Sequence, residues 1–430
     1  MSEVWERVRR SIIPVAVALV LGVALGGGVK LSAKSDAEDD FYKEIPLFTD
    51  VVSVIQSDYV EEVTTKDLIY GALKGMLSSL DPHSQFMDPD TYKEMQIETK
   101  GEFGGLGIVI TIRDQFLTVV TPLEDTPAYR SGLKSGDRIV KIDDKPTKDM
   151  SLFDAVKMMR GKPGSEIVLT VMREDVNTLM EFRVTRDIIE INSIKEAKML
   201  DAHTGYIKIV EFQEKTARDL EAALERLKKE GMQALILDLR NNPGGLLNSA
   251  VDVGEFFIPR GKVIVSTRGR LESQAMEFKA QGKKDLYGDI PLVVLVNEGS
   301  ASASEIVAGA IRDHHRGILL GVKTFGKGSV QTVSPLRDGS AVRLTTAKYY
   351  TPAGQSIHEV GVEPDVVVKL TDEEEVKIAE REVKVVGEPD ANPDSGEAKP
   401  PALDGQLARA LDLIKGIEVW RNIQGDHTGD

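Results

Sequence analysis

The chain has 430 residues, of which 41% are hydrophobic and 29% are charged, and its formal net charge is -15. This length fits two or three domains, and the composition is typical of a globular rather than a disordered protein. The chain contains no cysteine, which excludes a cysteine nucleophile, a thiolate metal site and a disulfide. The acidic balance argues against a general nucleic-acid binder, because neutralising phosphates requires a basic surface.

Residues 1–33 have the pattern of an export signal. Three arginines within the first ten residues precede an uncharged stretch from Ser11 to Val29 that is rich in Val, Ala and Leu. The length of this stretch lies between that of a cleaved signal peptide and that of a short membrane span. The alternative is a buried core helix, which the arginine cluster disfavours. We expect export to the periplasm, with the signal either removed or retained as an inner-membrane tether.

Residues 40–98 are predicted to be helical, since apolar residues recur at spacings of three and four from Phe48 to Tyr59 and from Leu68 to Leu80. Two short amphipathic helices cannot form a core by themselves. We therefore expect them to pack on another domain or another subunit. Pro82 ends the second helix within the turn Leu-Asp-Pro-His-Ser at 80–84.

Residues 99–187 are predicted to form a strand-rich α+β unit. Gly104, Gly105, Leu106 and Gly107 open a strand at Ile108–Ile112. A later helix is predicted at Ser151–Met159, with Phe153, Val156 and Met159 facing inward. In order and in residues this unit resembles a PDZ domain, and the resemblance makes residues 104–107 the loop that binds a peptide carboxylate. Glycines allow backbone N–H groups to converge on an anion, and the adjoining strand edge can accept an extended peptide. A plain tight turn is the alternative for the glycines alone.

Residues 188–368 alternate strands and helices in the order of an α/β core. Residues 369–401 are predicted to hold an acidic helix and a linker rich in Pro, Gly and acidic residues at 385–401. Residues 402–430 are predicted to contain an amphipathic helix that docks on the core or on another chain. Its apolar face consists of Leu403, Leu407, Leu411, Ile414 and Ile417.

Two motifs of the third unit lie at predicted strand-to-helix turns. The first is Asp-Leu-Arg-Asn-Asn-Pro-Gly-Gly at 238–245, where the backbone N–H groups of Gly244 and Gly245 suit a phosphate or an oxyanion, unless the turn is only structural. The second runs from Asn297 to Glu305, and its small residues would let a substrate backbone approach a serine hydroxyl. Ordinary helix capping competes with that reading, because Ser302 and Glu305 have the spacing of a capping box.

The third motif, Lys-Thr-Phe-Gly-Lys-Gly-Ser-Val-Gln at 323–331, places Lys327 between two glycines after a buried strand. A surface lysine in a glycine turn is the alternative. If the segment after Gly326 is extended, then Lys327, Ser329 and Gln331 share one face. Gln331 would then orient the amine of Lys327.

A histidine base is the competing arrangement. His314 and His315 follow Ser302 on one helix by about 18 Å, which is too far for a hydrogen bond. We assign His83 to another domain, and His358 has no obvious carboxylate partner.

In this order, the motifs are similar to those of the carboxyl-terminal processing peptidases, from about Leu47 to Pro364. By that resemblance Ser302 is the nucleophile, Lys327 is the general base, and Gln331 holds the lysine. The resemblance also makes the backbone N–H of Ala303, with that of Gly244 or Gly245, the oxyanion donors. A lysine base must be buried, since at its ordinary pKa it is protonated at neutral pH. No metal-ligand spacing is present, and we expect no cofactor.

The resemblance implies a multidomain α/β protein: a ClpP/crotonase-like serine peptidase core, an inserted PDZ domain and helical terminal segments. It implies an exported serine endopeptidase that recognises the C-terminal tails of protein substrates and cleaves through an acyl-enzyme. It also implies a homo-oligomer assembled through terminal helices, an adaptor protein that delivers substrates, and coupling of peptide capture to the active site, with Arg160 as a candidate. The alternative is a non-catalytic periplasmic scaffold whose PDZ domain binds peptides.

Overall fold

The computed structural model describes residues 35–173, 176, 178–282, 287–371, 373–374 and 404–427. The proposed export signal at 11–29, the linker at 385–401 and Leu403 therefore lie outside the described residues. Among the residues that are described, no helix has the length and the apolar character needed to cross a membrane.

The described part of the N-terminal unit, residues 35–76, is helical. Its helices are α1 (Ser35–Asp58) and α2 (Thr65–Ser78). Leu47, Val51 and Val54 of α1 are largely exposed. The predicted helices are present, and these apolar residues of α1 are largely exposed, whereas Leu68, Leu73 and Leu77 of α2 are half-buried.

The PDZ unit is a six-stranded antiparallel sheet with two helices, and a third helix, α3 (Pro89–Lys100), leads into it. The elements that follow α3 are β2 (Glu102–Gly105), β3 (Ile108–Arg113), β4 (Phe116–Pro122), α4 (Pro127–Arg130), β5 (Arg138–Ile142), β6 (Lys145–Pro146), α5 (Leu152–Met159), β7 (Glu166–Met172), β8 (Met180–Thr185) and β9 (Asp187–Glu190). Strands β2 and β9 form a separate two-stranded sheet. Strand order β3-β4-β5-β7-β8 leaves β3 at one edge. Ser151 caps α5 by accepting a hydrogen bond from the N–H of Asp154 at 3.1 Å.

One sequence prediction for α5 is wrong. Phe153 does not face inward: 54% of it is exposed, and the buried residues of this helix are Ala155 and Met159. The helix is amphipathic, as predicted, but its phase is set by contacts with β3 and β5. Spacing alone does not fix which of several apolar residues faces those strands.

The third unit is built on a six-stranded sheet of order β10-β11-β12-β15-β16-β19. Its elements are β10 (Ile194–Met199), β11 (Thr204–Ile209), α6 (Thr216–Lys229), β12 (Ala234–Asp238), α7 (Leu247–Gly254), β15 (Leu292–Val296), α8 (Ala303–Asp313), β16 (Ile318–Gly321), β19 (Val366–Val367) and α9 (Gly405–His427). All pairs from β11 onward are parallel. The central strands β11, β12 and β15 are buried on both faces, which explains the continuous apolar runs of β12 and β15.

Helices cover both faces of this sheet. On one face, α6, α7 and α8 pack over Leu235, Leu237 and Val294. On the other face, Leu407, Leu411 and Ile414 of α9 pack over Ile236, Val293 and Leu295. The prediction that the last amphipathic helix docks on the core is therefore confirmed for these three residues.

A second sheet lies in the same unit and receives a strand from the segment that precedes the PDZ unit. Its strands are β1 (Gln85–Met87), β13 (Val263–Gly269), β14 (Met276–Lys279), β17 (Ser329–Pro335) and β18 (Ala341–Tyr350). Strand β1 pairs antiparallel with β18, so that Gln85 lies opposite Arg343. The turn at 80–84 thus leads into a strand of this second sheet. Residues 85–87 therefore depart from the helical structure predicted for 40–98.

Candidate active site

The three predicted motifs meet at the carboxyl ends of neighbouring strands in the parallel sheet. They follow β12, β15 and β16, which are neighbours and parallel, so their carboxyl ends lie side by side. Direct hydrogen bonds join them. The N–H of Asn241 donates to Oδ1 of Asn297 at 2.8 Å, and the N–H of Phe325 donates to the carbonyl of Ser300 at 3.0 Å. Residues far apart in the sequence therefore form one site.

Ser302 has a strained backbone conformation at the start of α8. Its φ is 54° and its ψ is -110°, and the N–H of Ser304 donates to the carbonyl of Ala301 at 3.1 Å. These values match the first central position of a type II′ turn, which normally requires glycine. Such a conformation costs about 1–3 kcal/mol and is characteristic of functional positions.

The predicted capping box is only half formed. Oε2 of Glu305 accepts a hydrogen bond from the N–H of Ser302 at 2.8 Å. The Ser302 hydroxyl makes no capping hydrogen bond, although the residue is only 9% exposed. Capping therefore explains the glutamate and leaves the hydroxyl available for chemistry.

Glu305 connects the serine motif to the lysine motif. Its fully buried carboxylate accepts four hydrogen bonds, two on each oxygen. Oε2 accepts from the N–H groups of Ser302 at 2.8 Å and Lys327 at 2.9 Å. Oε1 accepts from the Thr324 hydroxyl at 2.6 Å and from the N–H of Gly326 at 2.7 Å. Burial raises the pKa of Glu305, and the four hydrogen bonds oppose that increase. Four donors around two oxygens fit a carboxylate, because an ionised carboxyl group only accepts hydrogen bonds.

We expect Glu305→Gln to lower activity at least about 100-fold and to lower the free energy of unfolding by about 1–3 kcal/mol. An amide has one acceptor oxygen, so its NH2 group would face two backbone or hydroxyl donors without a partner. Activity and urea unfolding measure the two effects. Glu255→Gln is the matched control, because Glu255 is also buried and its Oε1 accepts from the N–H of Gln281 rather than from residues of the candidate site. Equal loss of activity in both variants would contradict a specific role for Glu305.

Lys327 has the surroundings that a lysine base requires. Burial lowers its pKa, the positive charge of Arg343 lowers it further, and Glu305 opposes both. Within the described part of the chain, no carboxylate forms an ion pair with its Nζ. Gly326 and Gly328 allow the close packing: a Cβ at Gly328 would lie 2.1 Å from the backbone N of His358.

The side chain of Gln331 is anchored at its nitrogen. Nε2 donates to Oγ1 of Thr345 at 2.8 Å and lies 3.3 Å from Oγ of Ser329. Ser329 and Gln331 thus share one face, as predicted from the alternation of an extended strand. Oε1 of Gln331 is buried and has no hydrogen-bond partner in the described structure.

Of the two candidate glycines, Gly244 lies against the serine, and Gly245 lies against the backbone of Phe212. A Cβ at Gly244 would lie 2.8 Å from Cβ of Ser302, so only glycine allows this approach. The N–H of Gly244 donates to Oδ1 of Asn242 at 2.9 Å. No acceptor among the described residues is paired with the N–H of Gly245. Ala303 is the first residue of α8, where an N–H has no partner within the helix.

His83 lies near the candidate base, contrary to its assignment to another domain. Its pKa is lowered by burial and by the charge of Lys327. The reason is the pairing of β1 with β18, which brings the turn at 80–84 to the sheet that holds Gln331. His314 lies elsewhere, with Nε2 2.7 Å from the carbonyl of Val263.

The loop that precedes β3 in the PDZ unit is shorter than the predicted carboxylate-binding loop at 104–107. Gly104 and Gly105 belong to β2 and pair with β9, which leaves Leu106 and Gly107 as the turn before β3. Gly107 has a φ of 75°, and a Cβ there would lie 2.3 Å from Thr126. The edge strand β3 and helix α5 are in contact and frame the groove side of this unit.

Two ion pairs tie α5 to α3. Nζ of Lys157 donates to Asp90 at 2.5 Å, and the Arg160 guanidinium pairs with Glu94. Arg160 also lies over the ring of Phe103, 4.6 Å from its centroid. The candidate coupling residue therefore contacts the helix that leads from the peptidase sheet to the PDZ unit.

Comparisons with known proteins match the N-terminal, PDZ and third units separately. The description "Peptidase family S41" matches residues 203–368, "PDZ domain" matches 104–184, and "Activating protease CtpB N-terminal domain" matches 28–91. A carboxy-terminal-processing protease of Bartonella bacilliformis is 41% identical over 93% of this chain and 95% of its own length. The carboxy-terminal processing protease CtpA of Bacillus subtilis is 36% identical over 83% of this chain and 75% of its own.

Among solved structures, a photosystem II D1 C-terminal processing protease is 32% identical, with a TM-score of 0.44, and covers 75% of this chain and 86% of its own. The multidomain α/β architecture with a PDZ domain and a helical N-terminal segment is confirmed. The chain belongs to the carboxy-terminal-processing proteases of peptidase family S41, and it is a serine-type peptidase.

Proposed function

We propose that this protein is an exported endopeptidase whose PDZ domain recognises the C-terminal tails of protein substrates and whose Ser302 and Lys327 form the catalytic dyad. The observation that carries the proposal is the Glu305 carboxylate. It binds the backbone N–H groups of both dyad residues and so fixes their relative position. Gln331 holds Lys327, and no metal or cofactor takes part.

The reaction follows from these positions. Neutral Lys327 takes the proton of the Ser302 hydroxyl as Oγ attacks the carbonyl carbon of a peptide bond. The N–H groups of Ala303 and Gly245 donate to the resulting oxyanion. We choose Gly245 over Gly244 because the N–H of Gly244 is already donated to Asn242. The Lys327 ammonium then gives its proton to the leaving amine, which leaves an acyl-enzyme.

Water completes the cycle. Neutral Lys327 takes a proton from a water molecule that attacks the acyl carbon, and the collapse of the second tetrahedral intermediate releases the new C-terminal acid and restores the Ser302 hydroxyl. The burial that lowers the pKa of Lys327 makes its neutral form available at lower pH than for an exposed lysine.

Substrate capture is assigned to the PDZ domain. An extended tail would add to the free edge of β3, with its terminal carboxylate at the turn formed by Leu106 and Gly107. The exposed apolar residues of α1 are the proposed surface for homo-oligomerisation. Export by residues 1–33 and delivery of substrates by an adaptor protein complete the proposal and rest on the N-terminal pattern and on family membership.

Labelling with a fluorophosphonate probe tests the dyad. We expect wild-type protein to form one covalent adduct, which peptide mapping by mass spectrometry places on Ser302. The rate of labelling should increase with pH as Lys327 loses its proton. A protein that binds tail peptides but forms no adduct at any pH would instead be the non-catalytic scaffold.

A further inference from the structure

A chain of hydrogen bonds runs from the turn at 80–84 to Gln331. Oδ1 of Asp81 accepts from the N–H groups of His83 at 2.8 Å and Ser84 at 2.9 Å, which forms the turn. Oδ2 of Asp81 accepts from the Ser84 hydroxyl at 2.7 Å. The Ser84 and Thr345 hydroxyl oxygens are 3.4 Å apart, and Thr345 accepts from Nε2 of Gln331.

The direction of this chain is fixed at its acidic end. A carboxylate only accepts, so the single hydrogen of the Ser84 hydroxyl points to Asp81. Oγ of Ser84 is then an acceptor, and it receives the N–H of Thr345 at 3.1 Å and has a second lone pair for the Thr345 hydroxyl. The hydrogen of the Thr345 hydroxyl is directed to Ser84 or to Asp81 itself. In either case Oγ1 of Thr345 is left to accept from Nε2 of Gln331 at 2.8 Å.

The charge of Asp81 is maintained by the same contacts. Burial raises the pKa of this carboxyl, but the hydrogen bonds from the Ser84 side chain, from the backbone of His83 and Ser84 and from the Thr345 side chain outweigh it, so the pKa lies below its ordinary value. Asp81 is therefore an acceptor throughout the neutral range.

We propose that Asp81, through Ser84 and Thr345, is a positioning residue that sets the orientation of the Gln331 amide so that Oε1 faces the amine of Lys327. This rests on the proposed dyad. The buried Oε1 has no hydrogen-bond partner in the described structure, whereas Nε2 of the same amide is held by Thr345 and lies 3.3 Å from Oγ of Ser329. The other titratable groups around Lys327 are Arg343, His83 and Glu305. Arg343 only donates, each Glu305 oxygen already accepts two hydrogen bonds, and neutral His83 has one ring nitrogen that can accept.

Asp81→Asn tests the proposal because the amide keeps Oδ1 and hence the turn, but its NH2 donates to Ser84. The donors along the chain then reverse, and Gln331 presents NH2 instead of Oε1 to the lysine. We expect the limiting rate of Ser302 labelling by the fluorophosphonate to fall about tenfold or more. Loss of an acceptor disfavours the ammonium, so the acid limb of the rate profile should move down by about one pH unit.

Two further variants allow the proposal to be tested even if the Asp81→Asn protein does not fold. Thr345→Val removes the hydroxyl and should give a similar loss of limiting rate. Asp201→Asn is the matched control, since Oδ1 of Asp201 accepts from the N–H groups of His203 at 3.0 Å and Thr204 at 2.7 Å in the same kind of turn. That turn precedes β11, at the amino ends of the parallel strands, whereas the site lies at their carboxyl ends. The Asp201→Asn protein should keep the wild-type labelling rate and pH profile.

The decisive comparison repeats the Asp81→Asn substitution in a protein that already carries Gln331→Ala. If Asp81 acts through Gln331, Asp81→Asn should change neither rate nor acid limb in a Gln331→Ala protein. An effect that persists there, or a single variant that lowers the melting temperature without moving the pH profile, overturns the proposal. If wild-type protein forms no adduct, or Ser302→Ala is labelled as fast as wild type, the dyad itself is wrong and the positioning role falls with it.

Discussion

Replacement of Ser302 by alanine is expected to reduce cleavage of a fluorescein-labelled casein at least about 10⁴-fold. The variant lacks the oxygen that forms the acyl bond, and no neighbouring hydroxyl has the same position. Its fold should be unaffected, because the Ser302 hydroxyl makes no capping hydrogen bond. Melting temperature and binding of a fluorescent peptide with a free C-terminal carboxylate should match the wild-type values.

Ser304→Ala is the control for this prediction. Ser304 lies two residues away in the same turn, is fully buried, and donates from Oγ to the carbonyl of Asn242 at 2.9 Å. The loss of this hydrogen bond should destabilise the protein by about 1 kcal/mol while cleavage and labelling persist. Cleavage by Ser302→Ala above one per cent of the wild-type rate would refute the assignment of the nucleophile.

Replacement of Lys327 by methionine is expected to lower activity about 10³-fold or more while raising stability at neutral pH. Methionine has a similar length but no amine, so the Ser302 proton has no acceptor. The buried site disfavours a charged lysine, and an apolar side chain removes that cost. Casein cleavage and thermal unfolding at pH 7 measure the two effects, which should have opposite signs relative to wild type.

The pH dependence of both effects has a defined sign. The pKa of Lys327 is lowered by burial and by Arg343, so the folded protein binds fewer protons here than the unfolded chain does. Wild-type stability from this group therefore increases with pH between the lowered pKa and the ordinary value of 10.5. The stability advantage of Lys327→Met should decrease over the same range, and wild-type activity should rise with pH to a plateau.

Lys323→Met is the control for the lysine. Lys323 lies in the same loop but is half exposed, and its Nζ forms an ion pair with Glu363 at 3.0 Å. Its replacement should change activity and stability little, since exposed ion pairs contribute about 0–1 kcal/mol. Loss of activity in this variant comparable to that of Lys327→Met would show that the loop, and not one amine, is required.

Local sequence patterns were sufficient to predict where the candidate site residues lie on the fold. Buried strands followed by turns of small residues placed Ser302 at a strand-to-helix turn, and alternation along an extended segment placed Ser329 and Gln331 on one face. Both predictions depend only on residues within one or two elements. Periodicity and turn chemistry report on such short-range structure.

Long-range contacts explain what the sequence did not indicate. Glu305 was predicted only as a helix-capping residue, because its hydrogen bonds to Gly326 and Lys327 join segments about twenty residues apart. The role of Ser84 depends on Thr345, which lies 261 residues later. No local pattern specifies such a pair. The phase of α5 was mispredicted at Phe153 for the same reason, since its partners are strands elsewhere in the unit.

The contact of Arg240 with α9 has a consequence for the order in which the enzyme becomes active. Arg240 precedes the glycines of the candidate oxyanion turn, and it is shared between Asp238 and Asp404, with N–O distances of 2.7 and 2.9 Å. Until residue 404 has been synthesised, Arg240 lacks one of its two carboxylates, and the sheet face under α9 is uncovered. We expect a nascent chain that ends before α9 to lack full activity, so the protease would mature only after nearly all of its chain has been synthesised.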